Sequence, residues 1–124
     1  MSYGIRIVSK DGTEVILPKK HDIVGSTYAI GGTTEARLSV TYNYVDIFRR
    51  VFGERGIYIL HGMAVREAQS VLDRAIAALG EAQPDDDYWK PTDVNAREAL
   101  VGLHRLSELA LAAFPDDEMR WVCE

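Results

Sequence analysis

The order of hydrophobic patterns along the chain predicts an α+β fold, with an antiparallel sheet of three to five strands and three helices packed on one face. Over much of the first 44 residues, apolar and polar residues alternate, which is the period of a half-buried strand. Further along, apolar residues mostly recur at helical spacing, and residues 119–123 are suited to a last strand. Strands followed by helices favour this arrangement over a parallel sheet. At 124 residues the chain is expected to form one domain, 1–124.

The first predicted element is a β-hairpin. Residues 3–9 alternate, and residues 10–13 contain an Asp-Gly pair that favours a tight turn. Residues 14–17 then form a short second strand, which Pro18 is expected to end because proline has no N–H to donate to a neighbouring strand. A further short strand is possible at residues 26–30, before the next glycine-rich turn.

The clearest alternation covers residues 35–44 and leads directly into a helix over residues 45–52, which Gly53 is expected to end. The even-numbered residues of this strand are apolar or aromatic. Asn43 lies near the start of the helix, and asparagine is a favoured N-cap residue. The odd-numbered residues are predicted to form one polar face: Glu35, Arg37, Ser39, Thr41 and Asn43.

Two longer helices are predicted to follow. Residues 64–79 carry an apolar stripe at helical spacing, and Gly80 ends this helix. Residues 81–91 are predicted to form a loop. The third helix begins near Thr92, which is a good N-cap residue, and its apolar face ends before Pro115.

Composition and charge restrict the class of protein. The formal net charge of −5 argues against generic nucleic-acid binding, which depends on basic surface. No apolar run reaches the roughly 18 residues of a membrane span, and the first residues lack the apolar segment of a secretory signal. Cys123 is the only cysteine, so no internal disulfide can form and a cytoplasmic location is expected. The spacing of the histidines indicates no metal site, and no cofactor is expected.

Two segments carry the candidate ligand-binding residues. The strand would present hydrogen-bonding side chains from its polar face, and the loop before the third helix would supply aromatic rings for stacking beside a helix N-terminus. The acidic run at 85–87 would repel a phosphate group, which weakens this hypothesis. The predicted ligand-binding residues are Arg37, Thr41, Asn43, Tyr88, Trp89 and Asn95.

A purely structural interpretation competes with the functional one. In that interpretation, Tyr42 and Tyr44 fill the core and Asn43 caps the helix that follows. Tyr88 and Trp89 would then fasten their loop to the core. Both interpretations can hold together, because a capping residue can also face a binding site.

Three separated motifs carry a resemblance to a known group of proteins. They are T-x-N-Y at 41–44, F-G-x-x-G-I at 52–57 and D-Y-W-x-x-T-x-x-N-A at 87–96. Together they resemble small, functionally uncharacterised proteins of bacteriophages, prophages and actinobacteria. The resemblance implies a phage-type accessory protein that acts in the bacterial host cytoplasm and interferes with host defence. It implies no catalytic residue.

The sequence therefore favours a non-enzymatic binding module that holds a small polar ligand, such as a nucleotide-type signal. One alternative is a protein-interaction inhibitor whose acidic loops at 85–87 and 116–118 meet a basic surface of a host protein. Another alternative is a small hydrolase or transferase with His61 or His104 as the base. A symmetric homo-oligomer is expected, because such assemblies are common among small domains.

Overall fold

The computed structural model of the chain describes residues 2–23, 32–87 and 89–124, and within them the predicted α+β fold is confirmed. The strands are β1 (Ser2–Ser9), β2 (Ile16–His21), β3 (Thr33–Glu35), β4 (Arg37–Thr41) and β5 (Met119–Cys123). The α-helices are α1 (Val45–Phe52), α2 (Val65–Ala78) and α3 (Asp93–Ala113). Two 3-10 turns cover Tyr42–Tyr44 and Gly56–Leu60. The strand suggested at 26–30 falls outside the described residues.

The main sheet has three antiparallel strands in the order β4-β1-β5, so the first strand is central. Ser2 pairs with Thr41 at one end of β1, and Ser9 pairs with Met119 at the other end. The last strand, suggested by the sequence at 119–123, is therefore confirmed. This register places the start of α1 and the start of β5 at opposite ends of the sheet.

A second, two-stranded sheet joins β2 to β3, where the sequence predicted one continuous sheet. The chain changes partner at Ala36, which is fully buried and whose carbonyl accepts from the N–H of Ile7. The sequence predicted that Pro18 ends the second strand, and this was wrong, because β2 continues to His21. The pairing of β2 with β3 is irregular between Ile16 and His21, and such a ladder tolerates a residue without an N–H.

The helices pack on one face of the main sheet. Helix α2 lies against α3, and the two contact β5 and β4 respectively. The outer face of the sheet carries Arg6, Arg37, Ser39 and Arg120, which are exposed or half-buried. Burial under the helices removes the alternating apolar side chains of the strands from water, which drives the fold. These buried residues are Tyr3, Ile5, Ile7, Leu38, Val40, Met119, Trp121 and Cys123.

The helix ends follow the sequence closely. Gly53 ends α1 with φ of 100° and Gly80 follows α2 with φ of 75°, conformations that favour glycine. The hydroxyl of Thr92 accepts from the N–H of Asn95, so the predicted cap of α3 is confirmed. None of the helices in the described ranges combines the length and the apolar character needed to cross a membrane.

Candidate functional site

A buried threonine shapes the junction between β4 and α1. Thr41 is only 1% exposed, and its hydroxyl accepts from the N–H of Asn43 (3.2 Å), which caps the 3-10 turn Tyr42–Tyr44. The sequence predicted Asn43 as the cap of the helix, and this was wrong: the N-cap of α1 is Tyr44, with no side-chain cap. Because Thr41 makes the capping bond, the side chain of Asn43 stays exposed and free for another contact.

The predicted polar face of the strand is only partly present. Glu35, Arg37 and Ser39 are exposed, but Thr41 is buried. The prediction of a shared face was therefore wrong for Thr41, because the tight turn after β4 draws its hydroxyl into capping. Arg37 lies about 13 Å from Thr41 along the strand, at 3.3 Å per residue. Its Nε faces the Glu14 carboxylate at 3.6 Å, so the structure does not bring Arg37 to the junction.

Asn43 contacts the loop that precedes α3. Its amide Nδ2 donates to the carbonyl oxygen of Trp89 at 2.7 Å. Residues 85–92 are called the Trp89 loop below. This hydrogen bond joins two segments that are 46 residues apart in the chain. Tyr88, another predicted site residue, lies outside the described residues.

Asn95 organises the Trp89 loop from beneath. Asn95 lies in the first turn of α3 and is only 2% exposed. Its Oδ1 accepts from the N–H of Asp85 (3.0 Å), and its Nδ2 donates to the carbonyls of Asp87 (2.9 Å) and Lys90 (3.2 Å). Both amide donor hydrogens are therefore occupied by the loop backbone. Asn95 thus acts as a positioning residue for the loop.

The acidic residues 85–87 stabilise the loop in which they lie. The Asp85 carboxylate accepts from the N–H of Asp87 (2.9 Å) and lies 3.2 Å from the Lys90 ammonium, and these contacts hold the pKa of Asp85 below its usual value. The Asp87 carboxylate accepts from the N–H of Trp89 at 3.0 Å. Aspartate commonly stabilises turns in this way, by bonding the backbone two residues further on.

An ion pair adds α1 to the site. Arg50 Nη2 lies 2.6 Å from the Asp93 carboxylate, so the end of α1 contacts the start of α3. Each charge also lies at the favourable end of its own helix dipole, and no local pattern in the sequence indicates a contact across 43 residues. Because both side chains are about half exposed, the pair is expected to stabilise the fold by less than about 1 kcal/mol.

The indole of Trp89 is the most distinctive group of this site. It is 47% exposed, although the N–H and the carbonyl of Trp89 itself are both hydrogen-bonded. The other tryptophan, Trp121, is 0% exposed. An exposed aromatic ring on a fixed loop can stack on a planar group or contact a protein partner without a large loss of loop entropy.

The other candidate residues lie elsewhere. The acidic segment 116–118 lies at the opposite end of the sheet, beside Ser9 and Asp11. His104 is held between Asp73 (3.0 Å) and Glu108 (2.8 Å) on α2 and α3. His61 Nδ1 accepts from the backbone N–H of Cys123 at 3.1 Å. In the ranges that the structure covers, no three His, Cys, Asp or Glu side chains are grouped to hold a metal ion.

Comparison of this chain with protein-family models, with curated proteins and with solved structures finds no match. The fold and the site geometry are therefore the basis for a functional proposal. The resemblance to phage-type proteins and the predicted homo-oligomer stay predictions.

Proposed function

We propose that this protein is a non-enzymatic binding module whose main contact group is the exposed indole of Trp89. The observation that carries the proposal is the combination of 47% exposure with a fixed backbone. The N–H of Trp89 donates to Asp87, and its carbonyl accepts from Asn43. Because the backbone at Trp89 is already ordered, association costs only the entropy of its side chain.

The charges around the indole favour a cationic partner. Asp86 and Asp87 are exposed, and neither carboxylate forms an ion pair within the described residues. The other two carboxylates of the region, on Asp85 and Asp93, each have one cation within reach. The surface beside Trp89 therefore carries excess negative charge, which attracts arginine and lysine side chains.

A basic protein surface fits this combination best. An arginine guanidinium can stack on a tryptophan face while its N–H groups reach carboxylates at the edge of the ring. Tryptophan is also among the residues that contribute most to protein–protein affinity. This favours the protein-interaction alternative, in which residues 85–87 meet a basic surface of a host protein.

A nucleotide-type ligand is the second candidate. The same exposed indole would stack on a nucleobase, since base–aromatic stacking tolerates any base. The exposed carboxylates of Asp86 and Asp87 oppose binding of the phosphate groups. A nucleobase or nucleoside is therefore expected to bind more tightly than its polyphosphate. Interference with host defence, which the resemblance implies, would require the partner to be a host molecule.

Titrations followed by nuclear magnetic resonance would test both candidates. The two indole N–H signals report separately, because Trp89 is exposed and Trp121 is buried. We expect a short arginine-rich peptide to shift the Trp89 signal and leave that of Trp121 unchanged, with an affinity that falls as salt rises. A panel of nucleosides and nucleotides is titrated in parallel. Shifts with this panel alone would favour the second candidate.

Matched variants define the specificity of this contact. Trp89→Ala should lower the affinity for the peptide at least about tenfold, whereas Leu109→Ala, at a similarly exposed apolar residue of α3, should not change it. Asp86→Asn should weaken binding more than Asp116→Asn at the opposite end of the sheet. If neither probe shifts the Trp89 signal, or if Trp89→Ala binds as tightly as the natural sequence, the proposal is wrong.

A further inference from the structure

Two exposed aromatic rings lie at the end of the molecule that carries α1. Trp89 is 47% exposed, and Tyr58, in the 3-10 turn Gly56–Leu60, is 38% exposed. Among the described residues, no other aromatic side chain is as exposed as these two. Because exposed tryptophan and tyrosine are enriched in protein interfaces, this end of the molecule is a candidate interaction surface.

Helix α1 lies between these two rings. On one flank of the helix, Arg50 Nη2 lies 2.6 Å from the carboxylate of Asp93, next to the Trp89 loop. On another flank, the Cγ of Arg49 lies 3.6 Å from the position that a Cβ would take at Gly56, in the turn that carries Tyr58. Neighbouring residues of one helix therefore reach towards both rings, and the exposed face of α1 joins them in one surface.

The flank with Tyr58 carries an excess of positive charge. Residues 49–58 contain three arginines and a single acidic residue, Glu54. Arg49 and Arg55 are exposed, and neither lies within 4.0 Å of a carboxylate in the described ranges. Arg55 Nη2 lies 3.5 Å from the carbonyl oxygen of Tyr58, which places this cation beside the ring. These two arginines and Tyr58 are called the Tyr58 patch below.

The flank with the Trp89 loop carries the opposite charge. Residues 85–90 contain three aspartates and one lysine. Asp86 is exposed and has no hydrogen bond or ion pair with another described residue. Asp46, in the first turn of α1 and three residues after Asn43, is exposed and adds to this charge. Such a surface is complementary to itself, because a second copy turned by 180° about an axis through α1 brings each acidic loop onto a basic patch.

We propose that this chain forms a two-fold symmetric dimer around α1, in which the Trp89 loop of each copy binds the Tyr58 patch of the other copy. Arg49 of one copy stacks on the indole of the other and donates to Asp86, which combines a cation–π contact with a charge-assisted hydrogen bond. The two-fold axis makes both contacts twice and closes the assembly. This inference rests on the proposed function, since it identifies a basic surface of the same chain as a partner of the Trp89 loop.

Sedimentation of the full chain over a series of concentrations tests for this dimer. We expect a monomer–dimer equilibrium with a Kd below about 100 µM at low salt, and a Kd at least about tenfold higher when salt rises to about 500 mM. Arg49→Glu and Asp86→Lys should each weaken association at least about tenfold, because like charges then meet at both contacts. Arg74→Glu on α2 and Asp116→Lys at the opposite end of the sheet are the matched controls, and neither should change the Kd.

An equimolar mixture of Arg49→Glu and Asp86→Lys gives the sharpest measurement. The mixed dimer keeps one natural contact and exchanges the charges of the other, so it should form at nearly the natural affinity, and this rescue also shows that both variants are folded. A mixture that associates no better than either variant alone would overturn the inference, as would a chain that stays monomeric to about 1 mM at low salt.

Two further outcomes identify a different partner and also refute the dimer. If the arginine-rich peptide shifts the Trp89 signal of a chain that stays monomeric, the proposed function stands and the dimer is wrong. If an acidic peptide instead shifts the signals of Tyr58 in a monomeric chain, the Tyr58 patch serves an acidic partner and not a second copy.

Discussion

Replacing Asn95 with alanine should loosen the Trp89 loop while leaving α3 intact. The substitution removes three hydrogen bonds from the buried amide, to Asp85, Asp87 and Lys90. The cap of the helix is retained, because Thr92 accepts from the backbone N–H of Asn95 and not from its side chain. Alanine is also the better helix former.

The expected loss of stability follows from these contacts. Each of the three bonds contributes about 1 kcal/mol, which gives about 3 kcal/mol in total. The gain in helix propensity offsets about 0.5 kcal/mol of this loss. Water can reach part of the freed loop backbone, because Asp87 and Lys90 are exposed, and this lowers the cost further. We therefore expect Asn95→Ala to reduce the free energy of unfolding by about 2 kcal/mol.

Two measurements check this magnitude and its cause. Urea denaturation followed by the emission of buried Trp121 gives the change in free energy of unfolding. Hydrogen exchange of the Asp85 amide, whose N–H donates to Asn95, reports the local loosening. Asn43→Ala is the comparison variant, because it removes a single exposed hydrogen bond to the loop and should cost less than about 1 kcal/mol.

The outcomes separate a positioning role from a general structural one. If the loop depends on Asn95, the Asp85 amide should exchange faster than the loss of global stability explains, and peptide binding at Trp89 should weaken. A loss of stability below about 0.5 kcal/mol, together with unchanged exchange at Asp85, would refute the reasoning.

Three further predictions follow from the same structure. Thr41→Val keeps the buried volume but removes the cap of the 3-10 turn, and chemical denaturation should show a loss of about 1 kcal/mol. Leu103→Ala removes a fully buried side chain and should cost about 2–5 kcal/mol in the same measurement, whereas the exposed Leu109→Ala should change stability by less than about 0.5 kcal/mol. Burial raises the pKa of the Cys123 thiol to about 12 from 9.0, so the thiol of the unfolded state loses its proton at lower pH than that of the folded state. The difference in free energy of unfolding between the natural chain and Cys123→Ala should therefore be constant well below pH 9. It should fall by about 1.4 kcal/mol between pH 8 and pH 10.

Strand and helix positions were accessible from the sequence because burial on one face is a local property. The alternation at residues 3–9 and the apolar stripe at 64–79 can each be recognised from residues close together in the chain. The structure has β1 and α2 at these positions. The stops at Gly53 and Gly80 are local for the same reason, since their conformations favour glycine.

The capping residue at the β4–α1 junction could not be assigned from the sequence. Thr41 and Asn43 are both good capping residues, and they are two positions apart. The choice depends on whether the chain makes a 3-10 turn before α1. It does, so Thr41 becomes the cap and the side chain of Asn43 becomes available to Trp89.

The polar contacts that build the site depend on tertiary structure. The sequence marked Asn43, Trp89 and Asn95 as candidates by residue type, and the structure brings these three together. It separates Arg37 from them, because β4 runs away from the junction toward Glu14. No periodic pattern encodes a hydrogen bond between segments 46 residues apart. Residue type could therefore identify these candidates, but it could not predict how they are arranged.

The antiparallel sheet separates the Trp89 loop from the acidic segment 116–118. Strand β1 pairs with Thr41 at Ser2 and with Met119 at Ser9, a length of roughly 24 Å at 3.4 Å per residue. At physiological salt the screening length is about 8 Å, so a charge removed at residues 116–118 has little effect on the surface around Trp89. Substitutions this far apart, with no shared partner, also add in their effects on stability. Peptide binding weakened by Asp86→Asn and retained by Asp116→Asn would therefore report on the Trp89 loop alone and not on the folding of the whole chain.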